Sequence, residues 1–190
     1  MKKTLFFGLI ICFFFLAACS GSKIEDPLNY KVENFEFIDQ DGKPFSLKDL
    51  KGKVWVADFI FTSCETVCPP MTAHMKQLQE KADEAGVNVQ FVSFSVDPEV
   101  DTPEKLKQFA SNFSVSFDNW KFLTGYSQKT IEEFAKNSFK TLVQKVQNDD
   151  QVAHGTSFYL VDQNGVVLKS YSGVSDPPYE EIINDIKAIQ

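Results

Sequence analysis

Apolar positions along the chain change their period several times, and each change marks an element. Residues 53–61 (KVWVADFIF) form a nearly continuous apolar run rich in β-branched and aromatic side chains, the pattern of a strand covered on both faces, and residues 88–96 (NVQFVSFSV) repeat it. Between these runs Met71, Met75, Leu78 and Ala82 recur at helical spacing, which predicts a helix over 69–84 that ends before Gly86. Thr102-Pro103-Glu104 opens a second helix reaching about residue 113, with Pro at the first helical position. A short strand over 120–123 and a helix over 127–137, with Ile131, Phe134 and Ala135 turned inward, come next. Residues 141–147, 157–161 and 166–171 read as strands, the last two joined as a hairpin through Asp162-Gln163-Asn164-Gly165, and residues 178–189 as a closing helix. Ahead of all these, 34–38 and 44–47 flank Asp41-Gly42 as an N-terminal hairpin. Strands alternating with helices of this length predict an α/β architecture: a central mixed sheet flanked by helices, with that hairpin added at the start.

The first residues break the alternation. Lys2 and Lys3 precede an apolar run from Leu5 to Leu16, which is shorter than the roughly 20 residues a membrane-spanning helix needs, and Ala17-Ala18 lead into Cys19. A positive start, an apolar middle and a small-residue exit predict a signal peptide over 1–18, in which Cys12 is a small hydrophobe discarded with the run. Small residues directly before a Cys resemble the lipobox of bacterial lipoproteins, whose Cys is acylated on sulfur and becomes the new N-terminus. The resemblance implies lipidation at Cys19 and a domain held extracytoplasmically on the outer face of the cell membrane, since several acyl chains anchor where one binds only weakly. Ser20-Gly21-Ser22-Lys23 has the composition of a flexible leash. The organisation expected is therefore a signal peptide over 1–18, lipidated Cys and leash over 19–30, and one domain over 31–190.

Composition supports a single domain with an ample, Phe-rich core: 43% of the 190 residues are apolar, and 19 are Phe against 2 Trp and 5 Tyr. A formal charge of −7 and a pI near 4.9 leave no basic stripe for a phosphate backbone, which excludes nucleic acid as the natural partner. Candidate chemistry then rests on the scarce side chains, 4 Cys and 2 His.

Two of the cysteines, Cys64 and Cys68, sit in the turn between the first buried strand and a Pro-initiated helix. The carboxyl ends of strands in open α/β sheets are where reactive groups collect, and a helix N-terminus favours a thiolate. At this spacing the pair can close a disulfide or face one metal ion, and a bridge so local closes too small a loop to stabilise the fold much. The spacing is one residue longer than the C-x-x-C of thioredoxin-type redox pairs, and a closed zinc site would want four Cys or His ligands. His74, six residues after Cys68, is carried away along the helix axis and reads as an ordinary helix residue. His154 lies in a polar loop, 151–156, that enters a strand and can reach over the dithiol. Two thiolates and one imidazole make three ligands, a set soft enough for copper and too small for a closed zinc site. Asp97 ends the second buried strand at the same end of the sheet, where it either caps a turn or acts on the site through electrostatics or partner docking.

These residues resemble the Sco/SenC copper proteins. The resemblance is carried by Asp58-Phe59-Ile60-Phe61-Thr62-Ser63-Cys64-Glu65-Thr66-Val67-Cys68-Pro69, by Ser93-Phe94-Ser95-Val96-Asp97-Pro98-Glu99 leading to Asp101-Thr102-Pro103-Glu104, and by His154 ahead of Phe158-Tyr159-Leu160-Val161-Asp162, and it covers about 32–190. It looks strongest toward the lipoprotein members of bacilli. It implies a thioredoxin-like fold, copper ligation by Cys64, Cys68 and His154, and cycling of the two thiols between dithiol and disulfide. It also implies a part in assembling the dinuclear copper centre of cytochrome c oxidase, with that enzyme's copper-bearing subunit and a thiol reductant as partners and Cu(II), or else Cu(I), as the metal. Many members have Pro after the first Cys, where this chain has Glu65. Two other roles suit the same residues: a thiol-disulfide reductase that keeps the acceptor's cysteines reduced, and a redox or copper sensor. A peroxidase suits them less, because the chain has no Arg to stabilise a peroxide transition state. No Pro occurs between Pro103 and Pro177 to supply the cis-Pro that thioredoxin-like oxidoreductases place opposite their dithiol, which favours metal binding over general disulfide exchange.

Overall fold

The computed structural model describes residues 24–146 and 150–190. Its elements run β1 (Tyr30–Lys31), β2 (Glu36–Asp39), β3 (Pro44–Ser46), β4 (Val54–Ile60), α1 (Cys68–Glu84), β5 (Val89–Ser95), α2 (Pro103–Ser111), β6 (Trp120–Thr124), α3 (Gln128–Phe134), β7 (Val143–Lys145), β8 (Val152–His154), β9 (Ser157–Val161), β10 (Val166–Ser172) and α4 (Tyr179–Ile189). The two apolar runs of the sequence are β4, buried along its whole length, and β5, buried at every position but one. They lie side by side in parallel at the centre of an eight-stranded mixed sheet of order β1-β10-β9-β4-β5-β6-β2-β3. A parallel pair needs a crossover, and α1 supplies it, so the turn that follows β4 lies at the carboxyl edge of the sheet. On the other side of β4, β9 runs antiparallel, with Trp55 opposite Val161 and Ala57 opposite Tyr159, so β9 begins at that same edge. This topology brings the segment just before β9 to the turn just after β4.

Side chains alternate along β4, so Phe59 and Asp58 face opposite sides of the sheet. On the Phe59 side the rings of Phe35, Phe37, Phe59, Phe134 and Phe139 surround Phe94 at centroid distances of 5.1–6.3 Å. Chain entry into this cluster explains one departure from the expected helix over 127–137. α3 ends at Phe134 and continues as a π-helical turn, Ala135–Phe139, that closes with Lys140 in the left-handed region at φ 54°. The wider turn points Phe139 inward against Trp55, Phe59 and Tyr159.

Three further expectations are corrected. α2 stops at Ser111, short of residue 113, where the chain turns through Ser114 at φ 54°. The strand expected over 141–147 spans Val143–Lys145, with residue 147 outside the described residues, and the expected loop over 151–156 contains β8. These two short strands pair only with each other. Ahead of the domain start expected at residue 31, Ile24 is buried, Leu28 N–H donates to the Leu168 carbonyl at 2.9 Å, and β1 adds to β10 as an edge strand.

Phe94→Ala removes the ring at the centre of this cluster and is expected to cost about 3–5 kcal/mol of stability in urea denaturation. A loss below about 1 kcal/mol would show that the core is organised elsewhere.

Candidate metal centre

The dithiol owes its position to a strand end and a helix start. β4 finishes at Ile60, Cys64 N–H donates to the Phe61 carbonyl at 3.3 Å, and α1 opens at Cys68 with Pro69 and Pro70 in its first turn. Proline there holds φ at a helical value and lacks only N–H groups that would have no partner inside the helix. The loop is tied down from the neighbouring strand. The buried Asp101 carboxylate accepts the Thr62 N–H, the Thr62 hydroxyl and, at 2.6 Å, the Ser95 hydroxyl. Thr62 is thereby fixed two residues before Cys64. Asp101 opens the Asp101-Thr102-Pro103-Glu104 stretch, and its reach to Thr62 is visible only in the fold.

Both cysteines are free thiols, and both are buried. Burial acts to raise the Cys64 pKa, but the Cys68 thiol and the backbone N–H groups of Cys68, Thr66 and Val67 outweigh it and hold Cys64 below the ordinary thiol value. The Cys68 N–H to Cys64 Sγ distance is 3.3 Å. Cys68 behaves oppositely: burial first, then the Cys64 sulfur and the Asp58 carboxylate, push its pKa far up. Cys64 is therefore the thiol that ionises first.

His154 ends β8, opposite Val143 in the ladder. Its Nδ1 lies 2.9 Å from the Gly155 carbonyl, which can only accept, so Nδ1 carries the proton and Nε2 presents a lone pair. Nε2 stands 3.5 Å from Cys68 Sγ, and the ring rests edge-on against Phe61. Burial lowers the His154 pKa and the Gly155 carbonyl opposes that only in part, which favours the neutral, ligating imidazole. One donor atom each from Cys64, Cys68 and His154 lies within 4.8 Å of the others, the spread of a site closed by a single ion.

Other candidate residues lie elsewhere. His74 Nδ1 donates to the Gly173 carbonyl at 2.9 Å and is not among the clustered donor residues. The Asp97 carboxylate meets Lys145 Nζ at 2.8 Å with its side chain 2% exposed. The pairing brings in Lys145, for which the sequence carries no local signal. Cys19 lies outside the described residues. Asp58, the one acid in the first apolar run, is fully buried, and its pKa is raised from 3.8 to about 7 by burial, with the Ser93 hydroxyl opposing the shift.

Fold and site together define a thioredoxin-like α/β protein in which Cys64, Cys68 and His154 form a cluster that fits a metal ion at the carboxyl edge of the sheet. Comparison with known proteins agrees: the SCO1/SenC family model matches residues 25–190, and the chain belongs to this family. It is 60% identical over 186 residues to the SCO1 protein homolog of Bacillus subtilis (strain 168), covering 98% of this chain and 95% of that one. Among solved structures it resembles a SCO1/SenC family lipoprotein from Bacillus anthracis str. Ames, at 59% identity and TM-score 0.85, covering 87% of this chain and 98% of that one. It also resembles BsSco, a member of the Sco family of cytochrome c oxidase assembly proteins in which a disulfide switch has been identified, at 60% identity and TM-score 0.82, with 87% and 96% covered. Arabidopsis thaliana ScoI, with copper bound, matches at 28% identity and TM-score 0.69, with 83% and 96% covered.

A carboxylic acid whose pKa rises on folding keeps a proton that the unfolded chain gives up, so its contribution to stability falls as pH rises from about 4 toward about 7 and is level above that. Asp58→Asn stays neutral throughout. Its Tm relative to the wild type, both reduced and metal-free, is expected to be higher near pH 8 than near pH 5, and the same Tm difference at both pH values would show that Asp58 is not protonated in the fold.

Proposed function

We propose that this chain is a membrane-anchored copper-binding factor for assembly of the dinuclear copper centre of cytochrome c oxidase, with its metal held by Cys64, Cys68 and His154. The observation that carries the reading is the convergence of these three donor atoms within 4.8 Å at the first turn of α1. Two thiolates and an imidazole suit copper and leave a zinc ion one ligand short of its closed site. Relatives with copper bound and with a role in oxidase assembly support it.

Copper is the cargo, taken as Cu(II) or as Cu(I). Binding displaces the thiol protons, and the displacement is easiest at Cys64. Joining the two sulfurs of the free dithiol in a disulfide gives up two protons and two electrons, the electrons being taken by an external oxidant such as two Cu(II) ions reduced to Cu(I), and removes two of the three ligands, so the redox state of the dithiol gates the metal. A thiol reductant restores the site with two electrons and two protons. The lipobox-like ending at Cys19 and the lipoprotein from Bacillus anthracis support a lipid anchor on the outer face of the cell membrane. Anchoring raises the effective concentration of the domain at a membrane-embedded acceptor, the copper-bearing subunit of the oxidase. Among the described residues no helix is long and apolar enough to cross a membrane.

One observation favours a second reading, a thiol-disulfide reductase: a low-pKa Cys64 beside a high-pKa Cys68 is the arrangement of an attacking and a resolving thiol. Titration of the reduced domain with Cu(II), followed by visible absorption and electron paramagnetic resonance, separates the two. A saturable one-to-one thiolate-to-copper band is expected, with affinity lowered by orders of magnitude in His154→Ala and lost in the disulfide form. No band, with the thiols merely oxidised, would put the reductase first. On the localisation, Cys19→Ser is expected to abolish incorporation of labelled fatty acid and move the protein from the membrane to the soluble fraction, and unchanged labelling would refute lipidation at Cys19.

A further inference from the structure

His154 is not carried by the main sheet. It ends β8, which among the described residues pairs with β7 alone, and an isolated two-stranded ladder is marginally stable by itself. Its apolar contribution is small: Val143 and Val152 turn into the core, while Leu142 and Val146, which flank β7, are 60% and 42% exposed. What ties the ladder down at its far end is polar. Lys145 N–H donates to Glu132 Oε1 on α3 at 3.1 Å, and Lys145 Nζ reaches Asp97 Oδ1 at 2.8 Å. Near His154, the Gly155 N–H donates to the Leu142 carbonyl at 3.2 Å.

Asp97 begins the turn whose other end holds the dithiol loop. Its carbonyl accepts the N–H groups of Val100 and Asp101, and the Asp101 side chain grips Thr62, two residues before Cys64. One short turn thus grasps both ligand-bearing segments, the dithiol loop through Asp101 and the histidine ladder through Asp97. Three acids, Asp97, Glu99 and Asp101, lie in this turn, and the Lys145 ammonium meets the first of them.

Resting on the copper reading above, we propose that Lys145 is a positioning residue for the metal centre: its ion pair with Asp97 holds the β7–β8 ladder so that His154 Nε2 faces the Cys64–Cys68 dithiol. Lys145 touches no ligand atom and acts through the ladder. Groups that orient a ligand from outside the coordination shell commonly contribute ten- to hundredfold to metal affinity.

The test is a double-mutant cycle on copper affinity in the reduced protein, with Lys145→Met, His154→Ala and the combined variant, folding being checked by far-ultraviolet circular dichroism. Lys145→Met is expected to lower affinity about tenfold or more when His154 is present and less than about twofold when it is absent. It should also shift the thiolate-to-copper band toward that of His154→Ala, while Lys145→Arg restores both. Removing one partner leaves the Asp97 charge buried alone, so if Lys145→Met does not fold, Lys145→Met/Asp97→Asn takes its place in the cycle. Equal losses with and without His154, or no loss in either, would overturn the inference while leaving the ligand set intact. An affinity unchanged by His154→Ala would overturn the ligand reading itself, and the inference with it.

Discussion

Cys68 is buried, at the first turn of a helix that packs on a central strand. A thiol so enclosed can meet only what the fold carries to it, and the architecture around it reads as the consequence. β4 must be apolar enough to stay buried to its end, so that the following turn starts from a fixed point. α1 must begin at the cysteine itself, which Pro69 and Pro70 enforce. The third ligand must come from a distant part of the chain, and the antiparallel pairing of β9 with β4 delivers it to the same edge.

The same burial divides labour between the sulfurs. Cys64 collects the N–H groups of the helix start and ionises readily, whereas Cys68 faces the interior, with Asp58 adding negative charge on that side. Two thiolates and a carboxylate in so dry a place repel one another, and in the metal-free state the repulsion is relieved by protons on Cys68 and on Asp58. A cation between the sulfurs relieves it another way. On the copper reading proposed above, proton release on metal binding follows from the position of the two cysteines.

Much of this was legible in the sequence, and the boundary follows the range of the interactions. Long apolar runs fixed β4 and β5, and helical spacing of Met71, Met75, Leu78 and Ala82 fixed α1, because each signal is local and repeated. The clustering of Cys64, Cys68 and His154 was legible because Cys and His are scarce and the dithiol stands at a strand end. β8 was not: three residues of alternating burial are too short for a period to show, and polar neighbours give them the look of a loop. The π-turn after α3 was missed because the residues of 135–139 suit a continued α-helix, and only the place waiting for Phe139 in the ring cluster widens the turn. The pairings of Asp101 with Thr62 and of Lys145 with Asp97 span 39 and 48 residues, and no local pattern announces a contact made by topology alone.

The three candidate donors differ in how firmly they are held, and on the proposed reading the difference suits a cargo that must leave. The dithiol sits on a turn locked by Pro69, Pro70 and the buried Asp101 carboxylate, whereas the imidazole sits on a short ladder outside the main sheet. Oxidation of the firm pair takes away two thiolates in one step and leaves a single imidazole, which holds copper weakly. A site built from three thiolates would keep one after the same oxidation and hold on to soft metal. On the copper reading proposed above, the mixed set couples a two-electron change at the dithiol to nearly the whole of the affinity.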